Sequence, residues 1–266
     1  MVERVGLLLC AALLSSCGIA NGLSGGQQRS PFADLFDGPP VDDGDGGGDG
    51  DGGGGRCGGG DVVLTTDDDV ELAALWAPEG SAAIVLVHQI AGDHTNWSPD
   101  AFSFFQDKGY SVLSIDRRTV GRDGPQGALD VKAAHEFLLE CEISHWGAVG
   151  ASTGTAPIYD YLLAPIPFDP AAGALLQAAV FLSPGPWTDA NNPTVADHVS
   201  ILDGVAGFTA ITTPDCCAGA QLDPVPSRWA PHSYPAGDGD FHGEQMLDNG
   251  DLQNELSAFL EAELIP

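Results

Sequence analysis

Positive charge is the scarcest property of this chain: 9 lysines and arginines stand against 38 aspartates and glutamates, a formal net charge of −29. A surface of that sign repels nucleic-acid phosphates and anionic lipid headgroups, so no nucleic-acid partner is expected. The plain reading of the acidity is solubility, or adaptation to salt, rather than an acid-specific activity. Long apolar runs are also lacking, since no internal segment reaches the ~20 residues that a bilayer crossing needs. Motifs for dinucleotides and metals are missing where they would matter. Gly147-Ala148-Val149-Gly150 lacks the G-x-G-x-x-G spacing of a dinucleotide turn. Asp238, Asp240 and His242 have no second histidine cluster beside them to complete a metal site. No cofactor is expected.

Cysteines are few, and their placement is informative. Of the six, Cys10 falls in the apolar run Val5 to Leu14, which follows Arg4 and has the length of a signal-peptide core of about ten residues. Leu14-Ser15-Ser16-Cys17 comes next and resembles a bacterial lipoprotein lipobox. That resemblance implies a signal peptide over 1–16, a diacylated Cys17, and a membrane-anchored protein of the cell envelope, in the periplasm or at the cell surface. Two acyl chains, at about 0.8 kcal/mol per buried CH₂, give stable anchoring. Ordinary cleavage after Gly18-Ile19-Ala20 is the alternative, and either reading exports the protein. The remaining Cys57, Cys141, Cys216 and Cys217 form an even set that suits an oxidising compartment. Their connectivity stays open. A bond from Cys57 to Cys141, or to the 216/217 pair, would staple the end of the preceding linker onto the domain.

Composition divides the chain in two. From Asp37 to Gly60 there are 13 glycines and 6 aspartates in 24 residues, which leaves nothing to bury, so 17–60 reads as a disordered tether. Its Asp-Gly repeats lack the closing glutamate of a calcium loop. From Asp61 to Pro266 strands and helices alternate. Val62–Thr65 and Leu72–Trp76 read as a hairpin through Asp67-Asp68-Asp69. Ala82–Val87 is apolar throughout, as expected of a strand buried on both faces. A helix over Pro99–Lys108, a strand over Tyr110–Ile115 and an amphipathic helix over Leu129–Glu140 follow. Trp146–Ala151, Ala178–Leu182, Phe208–Thr212 and Trp229–Tyr234 read as further strands, and Glu244–Leu264 as a closing helix. This order indicates the α/β class: a mainly parallel central sheet with helices on both faces. Ligand sites in such sheets lie outside the carboxyl ends of the strands.

Gly150-Ala151-Ser152-Thr153-Gly154 stands at one of those ends, between a strand and a helix expected over Thr153–Leu163. A serine flanked in this way can occupy a sharp, strained turn that projects its hydroxyl above the sheet. Serine needs a base, and the base an orienting acid. His242 is the best base, after the last strand and before the closing helix; His88, His94, His135, His145, His198 and His232 are read as surface or core histidines. Asp215, after the strand that ends near Thr212, is the acid, with Asp223 as the alternative. The order Ser152, Asp215, His242 is the one this sheet topology requires. One oxyanion-binding amide comes from Thr153, the other from the loop His88-Gln89-Ile90-Ala91-Gly92. Arg117, Arg118 and Arg122 read as a turn paired to nearby aspartates, with contact to an anionic acyl group as the alternative.

These residues carry a family resemblance. The span from Asp61 to Pro266 resembles the α/β-hydrolase superfamily, nearest to its small, lidless, dienelactone-hydrolase-like serine esterases. The matching features are His88-Gln89-Ile90-Ala91-Gly92, Asp116-Arg117-Arg118, Asp130-Val131-Lys132-Ala133-Ala134, Gly150-Ala151-Ser152-Thr153-Gly154 and His242-Gly243. The resemblance implies Ser152 as nucleophile, His242 as base, Asp215 as acid, and Ile90 and Thr153 as oxyanion donors. Dienelactone hydrolases proper carry a cysteine nucleophile, so lactone specificity does not carry over. Thr212-Thr213-Pro214-Asp215-Cys216-Cys217 departs from the usual glycine-bearing acid loop. The expectation is an exported serine hydrolase that cleaves small carboxylic esters through an acyl-enzyme. The rival is a non-catalytic surface lipoprotein that uses the same fold as a binding module.

Overall fold

Eight strands join into one sheet in the computed structural model, which describes residues 56–118, 126–163, 176–184, 202–213, 227–235 and 242–264. The strands are β1 (Gly60–Thr65), β2 (Glu71–Ala77), β3 (Ala82–Val87), β4 (Tyr110–Ile115), β5 (His145–Ala151), β6 (Leu176–Leu182), β7 (Ala206–Thr213) and β8 (Trp229–Pro235). The helices are α1 (Pro99–Gln106), α2 (Gln126–Glu140), α3 (Thr155–Leu163) and α4 (Gly250–Leu264), with 3₁₀ turns at Ser152–Gly154 and Gly243–Asp248. Strand order is β1-β2-β4-β3-β5-β6-β7-β8, and every pair is parallel except β1 with β2 and β2 with β4. The mainly parallel sheet expected from the sequence is therefore present. The lipobox, the tether as far as residue 55, Cys216 and Cys217 lie outside the described residues.

Side chains of β3 alternate between two cores, which shows how one sheet is buried on both faces. Ala83, Val85 and Val87 join the core beneath α2 and α3, with Val131, Phe137, Ile158 and Tyr159. Ile84 and Leu86 join the opposite core beneath α1 and α4, with Phe102, Phe105, Leu252, Leu256 and Leu260. An all-apolar run of six residues serves both sides because side chains in a strand alternate with period two.

Helix starts follow capping chemistry. In α1, Ser98 is the N-cap; its hydroxyl accepts from the Ala101 amide at 3.1 Å, and Pro99 begins the first turn. The closing helix differs from expectation. Its first turn, Gly243–Asp248, is 3₁₀, the chain extends at Asn249, and α4 starts afresh at Gly250. Asn249 Oδ1 accepts from the Asp251 and Leu252 amides at 3.0 and 3.1 Å, so an asparagine cap breaks what periodicity reads as one helix. Likewise the helix expected from Thr153 begins with a 3₁₀ turn and becomes α-helical only at Thr155.

Arg56 to Gly60, which composition assigns to the tether, belong to the folded body. Cys57 is bonded to Cys141 just beyond α2, closing a loop of 84 residues in sequence separation. Trp76 Nε1 donates to the Cys57 carbonyl at 3.1 Å. Arg56 donates to Glu140 at 2.9 Å and lies over the Phe137 ring. This strap fastens the chain to the outside of α2, on the side of β1. A crosslink over so long a loop restricts the unfolded chain and stabilises by about 2–4 kcal/mol. Reduction, or Cys57→Ser with Cys141→Ser, is therefore expected to lower the melting temperature by several degrees in a calorimetric scan while leaving a folded protein. An unchanged melting temperature would show that the bond contributes nothing.

Candidate active site

Ser152 lies at the carboxyl end of β5 with φ +49°, a left-handed conformation that an L side chain rarely adopts. Such a conformation costs about 1–3 kcal/mol and persists only where its surroundings fix it. Here they do. An added Cβ at Gly150 would come 2.6 Å from the Gly154 carbonyl oxygen, and one at Gly154 would come 2.2 Å from the Val87 oxygen and 2.5 Å from the His88 oxygen. The two glycines thus let the turn close on itself and let it press against the end of β3. Thr155 Oγ1 donates back to the Ser152 carbonyl at 2.8 Å, which secures the bend from the helix side. The serine is 4% exposed, and its Oγ lies 2.8 Å from His242 Nε2. Ninety positions separate these residues in sequence; the sheet brings β5 and the segment after β8 to the same edge of the molecule.

The loop after β3 borders the serine. His88 is buried, its Nδ1–H donating to the Gln89 carbonyl at 2.7 Å and its Nε2 accepting from the Arg117 amide at 3.3 Å. Burial lowers its pKa, and both ring nitrogens are engaged in bonds that hold the loop. Gln89 to Gly92 fold into a tight turn closed by the Gly92 amide on the Gln89 carbonyl at 3.3 Å, with Ala91 at φ +59°. Ile90 is 60% exposed, a large apolar residue open to solvent in this loop. The Gln89 amide donates to Glu244 Oε1 at 3.0 Å. Burial raises the Glu244 pKa from its ordinary value.

The two arginines after β4 part company. Arg118 fulfils the turn reading: it donates to buried Asp130 at 2.6 Å through Nε and at 2.9 Å through its backbone amide, and to Asp68 through Nη1 and Nη2. Arg117 bonds no carboxylate among the described residues. Its Nε donates to the His88 carbonyl at 3.1 Å and its Nη2 to Thr153 Oγ1 at 2.6 Å, spanning the ends of β4, β3 and β5. The turn reading is thus corrected for Arg117, which faces the residue next to Ser152. Arg122 lies outside the described residues.

Asp215, the expected acid, and its alternative Asp223 also lie outside the described residues, as do Asp238, Asp240 and His198. His94 pairs with Asp116 at 2.8 Å, His232 with Glu255 at 2.6 Å, and His135 stacks on Trp146 inside the core. Ligand atoms of Asp93, His94 and Asp116 fall within 4.8 Å of one another. Their hydrogen bonds already account for that grouping: His94 donates twice to Asp116, and Asp93 accepts from Thr95. Sequence reasoning missed Glu244 and the Arg117–Thr153 contact. For Glu244, its position directly after His242-Gly243 was the available signal.

The close approach at residue 154 is testable. Gly154→Ala must displace either the turn or the end of β3, so a loss of about 2–4 kcal/mol in denaturant unfolding is expected. A fully stable Gly154→Ala variant would show that the packing of the turn against β3 is not a constraint.

No family model matches the chain, and no curated protein matches it by sequence. Solved structures do match. An esterase of Pyrococcus furiosus superposes with TM-score 0.60 at 15% identity, covering 77% of this chain and 92% of its own. A dienelactone hydrolase of Anabaena variabilis superposes with TM-score 0.55 at 18% identity, covering 77% and 98%. A thermophilic esterase of the planctomycete Thermogutta terrifontis gives TM-score 0.54 at 15% identity, covering 80% and 95%. Identities this low speak to architecture alone. With its mainly parallel sheet, its strand order and a serine at a left-handed turn after β5, this chain has the α/β-hydrolase fold.

Proposed function

We propose that this protein is a serine hydrolase that cleaves carboxylic esters of small acyl substrates through an acyl-enzyme. The observation that carries the reading is the 2.8 Å approach of His242 Nε2 to Ser152 Oγ on a turn strained in a way that only tight packing sustains. Several matching structures are esterases by name, which supports the ester as the bond class.

In this reading His242 Nε2, unprotonated, takes the Ser152 proton as Oγ attacks the ester carbonyl. The tetrahedral oxyanion is met by the backbone amides of Thr153 and Ile90, each contributing roughly 3–4 kcal/mol to the barrier reduction in comparable sites. The imidazolium then gives its proton to the departing alcohol, and water repeats the sequence on the acyl-enzyme. Asp215 is the acid assigned to His242 Nδ1, with Asp223 as the alternative. Its support is topological: β7 ends with Thr213 at the carboxyl edge where Ser152 stands, and Asp215 follows Thr213 by two positions in sequence. No step needs a cofactor.

Export and a lipid anchor at Cys17 form part of the proposal. The Cys57–Cys141 bond supports export, since such bonds persist in oxidising compartments, and the anchor rests on the lipobox resemblance. Expressed from its full-length gene in a bacterial host, the protein is expected to incorporate labelled palmitate and to lose that label in Cys17→Ser. Label retained in Cys17→Ser would remove the anchor from the account.

The chemistry is tested with a fluorophosphonate probe and a panel of 4-nitrophenyl esters and anilides. Wild type is expected to take the label and to turn over esters faster than anilides. Ser152→Ala should abolish labelling, whereas Ser183→Ala, at a serine buried against Met246, should retain it. Ser152→Ala and His242→Ala should each lower kcat by at least about 10³-fold. Folded wild type that neither labels nor hydrolyses any ester would favour the binding-module reading instead.

A further inference from the structure

The residue that follows His242-Gly243 ties two parts of the site together. Glu244 Oε1 accepts the Gln89 backbone N–H at 3.0 Å across 155 positions of sequence. Gln89 is the residue before Ile90, so this bond holds the peptide that leads into the proposed oxyanion amide. Next to it, Gly243 sits at φ +60°, and a Cβ there would come 2.4 Å from Gln89 Oε1. The base-bearing segment and the oxyanion loop are therefore in contact twice, once by a hydrogen bond and once by the Gln89 side-chain oxygen, which occupies the place a Cβ at Gly243 would take. The carboxyl is largely buried, and burial raises its pKa, with the Gln89 amide bond acting in the opposite direction.

From this geometry we infer that Glu244 is a positioning residue: it sets the oxyanion loop in register with His242. It does so by holding the Gln89 amide at a fixed distance, and it touches no reacting atom. This inference rests on the proposed serine-hydrolase reading. Its physical basis is that an oxyanion donor is useful only if already aimed at the place where negative charge will develop. A loop held on one side by the tight turn at Gln89–Gly92 and on the other by Glu244 meets that condition before substrate arrives.

The proposal separates reach from charge. Gln at 244 keeps the length and an acceptor oxygen but no charge; Asp keeps the charge but is one methylene short; Ala has neither. Glu244→Gln is expected to keep kcat within about threefold of wild type, while Glu244→Asp and Glu244→Ala lower it about 10–100-fold, the cost of misplacing a catalytic group by an ångström or so. KM for a 4-nitrophenyl ester should change less than about threefold in all three, because the ground-state ester does not use the oxyanion amides. Affinity for a trifluoromethyl ketone, which forms a tetrahedral oxyanion on the serine, should fall in step with kcat in the Asp and Ala variants. Melting temperature is followed in parallel. If Glu244→Asp is as unstable as Glu244→Ala, the Gln variant alone decides, since it must remain active.

Equal kcat in wild type, Asp and Ala variants would overturn the clamp and leave the hydrolase reading intact. So would a loss that appears in KM with trifluoromethyl ketone affinity unchanged, or a Gln variant as impaired as Ala. Wild type that hydrolyses no ester and forms no ketone adduct would instead remove the hydrolase reading, and the clamp with it.

Discussion

The carbonyl oxygens of Val87 and His88 leave no space for a side chain at residue 154, and much of the site follows from that approach. Because Gly154 can press against the end of β3, the chain leaving β5 must turn at once, and Ser152 takes the left-handed conformation that lifts its hydroxyl over the sheet edge. The same contact places the loop after β3 beside the serine, so one close packing of backbone on backbone sets both the turn and its neighbour. A β3 whose side chains are buried on both faces is the rigid surface against which the turn is pressed.

Charge is used sparingly, and where it is used it fixes loops at the carboxyl edge. Arg118 joins the end of β4 to buried Asp130 on α2 and to Asp68 in the β1–β2 turn. Arg117 spans three strand ends to reach Thr153. Glu244 joins the segment after β8 to the loop after β3. In a chain with 9 basic residues, two consecutive arginines at one strand end are a notable concentration. Their bonds run along the edge where Ser152 and His242 meet, and charge-assisted bonds in such partly buried places are worth more than the same pairs on an open surface.

Elements whose whole pattern is local were legible in the sequence. Ala82–Val87 has the bounds read from its apolar run, and Tyr110–Ile115 keeps its expected bounds although Ser111 and Ser114 interrupt it, their buried hydroxyls donating to the Gly80 and His94 carbonyls. The serine turn was legible from its glycines, although the reason for Gly154 was not: the clash that requires it is with β3, some 65 positions earlier. The break before α4 was missed because Asn249 caps a new helix within a stretch of helical periodicity. Arg117 and Arg118 are neighbours of one type and invite one reading, yet successive residues of extended chain face opposite ways, and only the fold separates them. Composition also hid the beginning of the folded body, since a glycine-rich tether and a disulfide strap look alike until Cys57 finds Cys141.

The central claim is that this turn delivers the Ser152 hydroxyl to an imidazole and to waiting amides, so that a carbonyl can be attacked there. A crystal structure of the protein after reaction with an alkyl phosphonate ester tests it most directly. The account predicts phosphorus bonded to Ser152 Oγ, the phosphoryl oxygen within hydrogen-bond distance of the Thr153 and Ile90 amides, and a carboxylate from the segment after β7 on His242 Nδ1. Phosphorus on another residue, or a phosphoryl oxygen turned away from both amides, would contradict it.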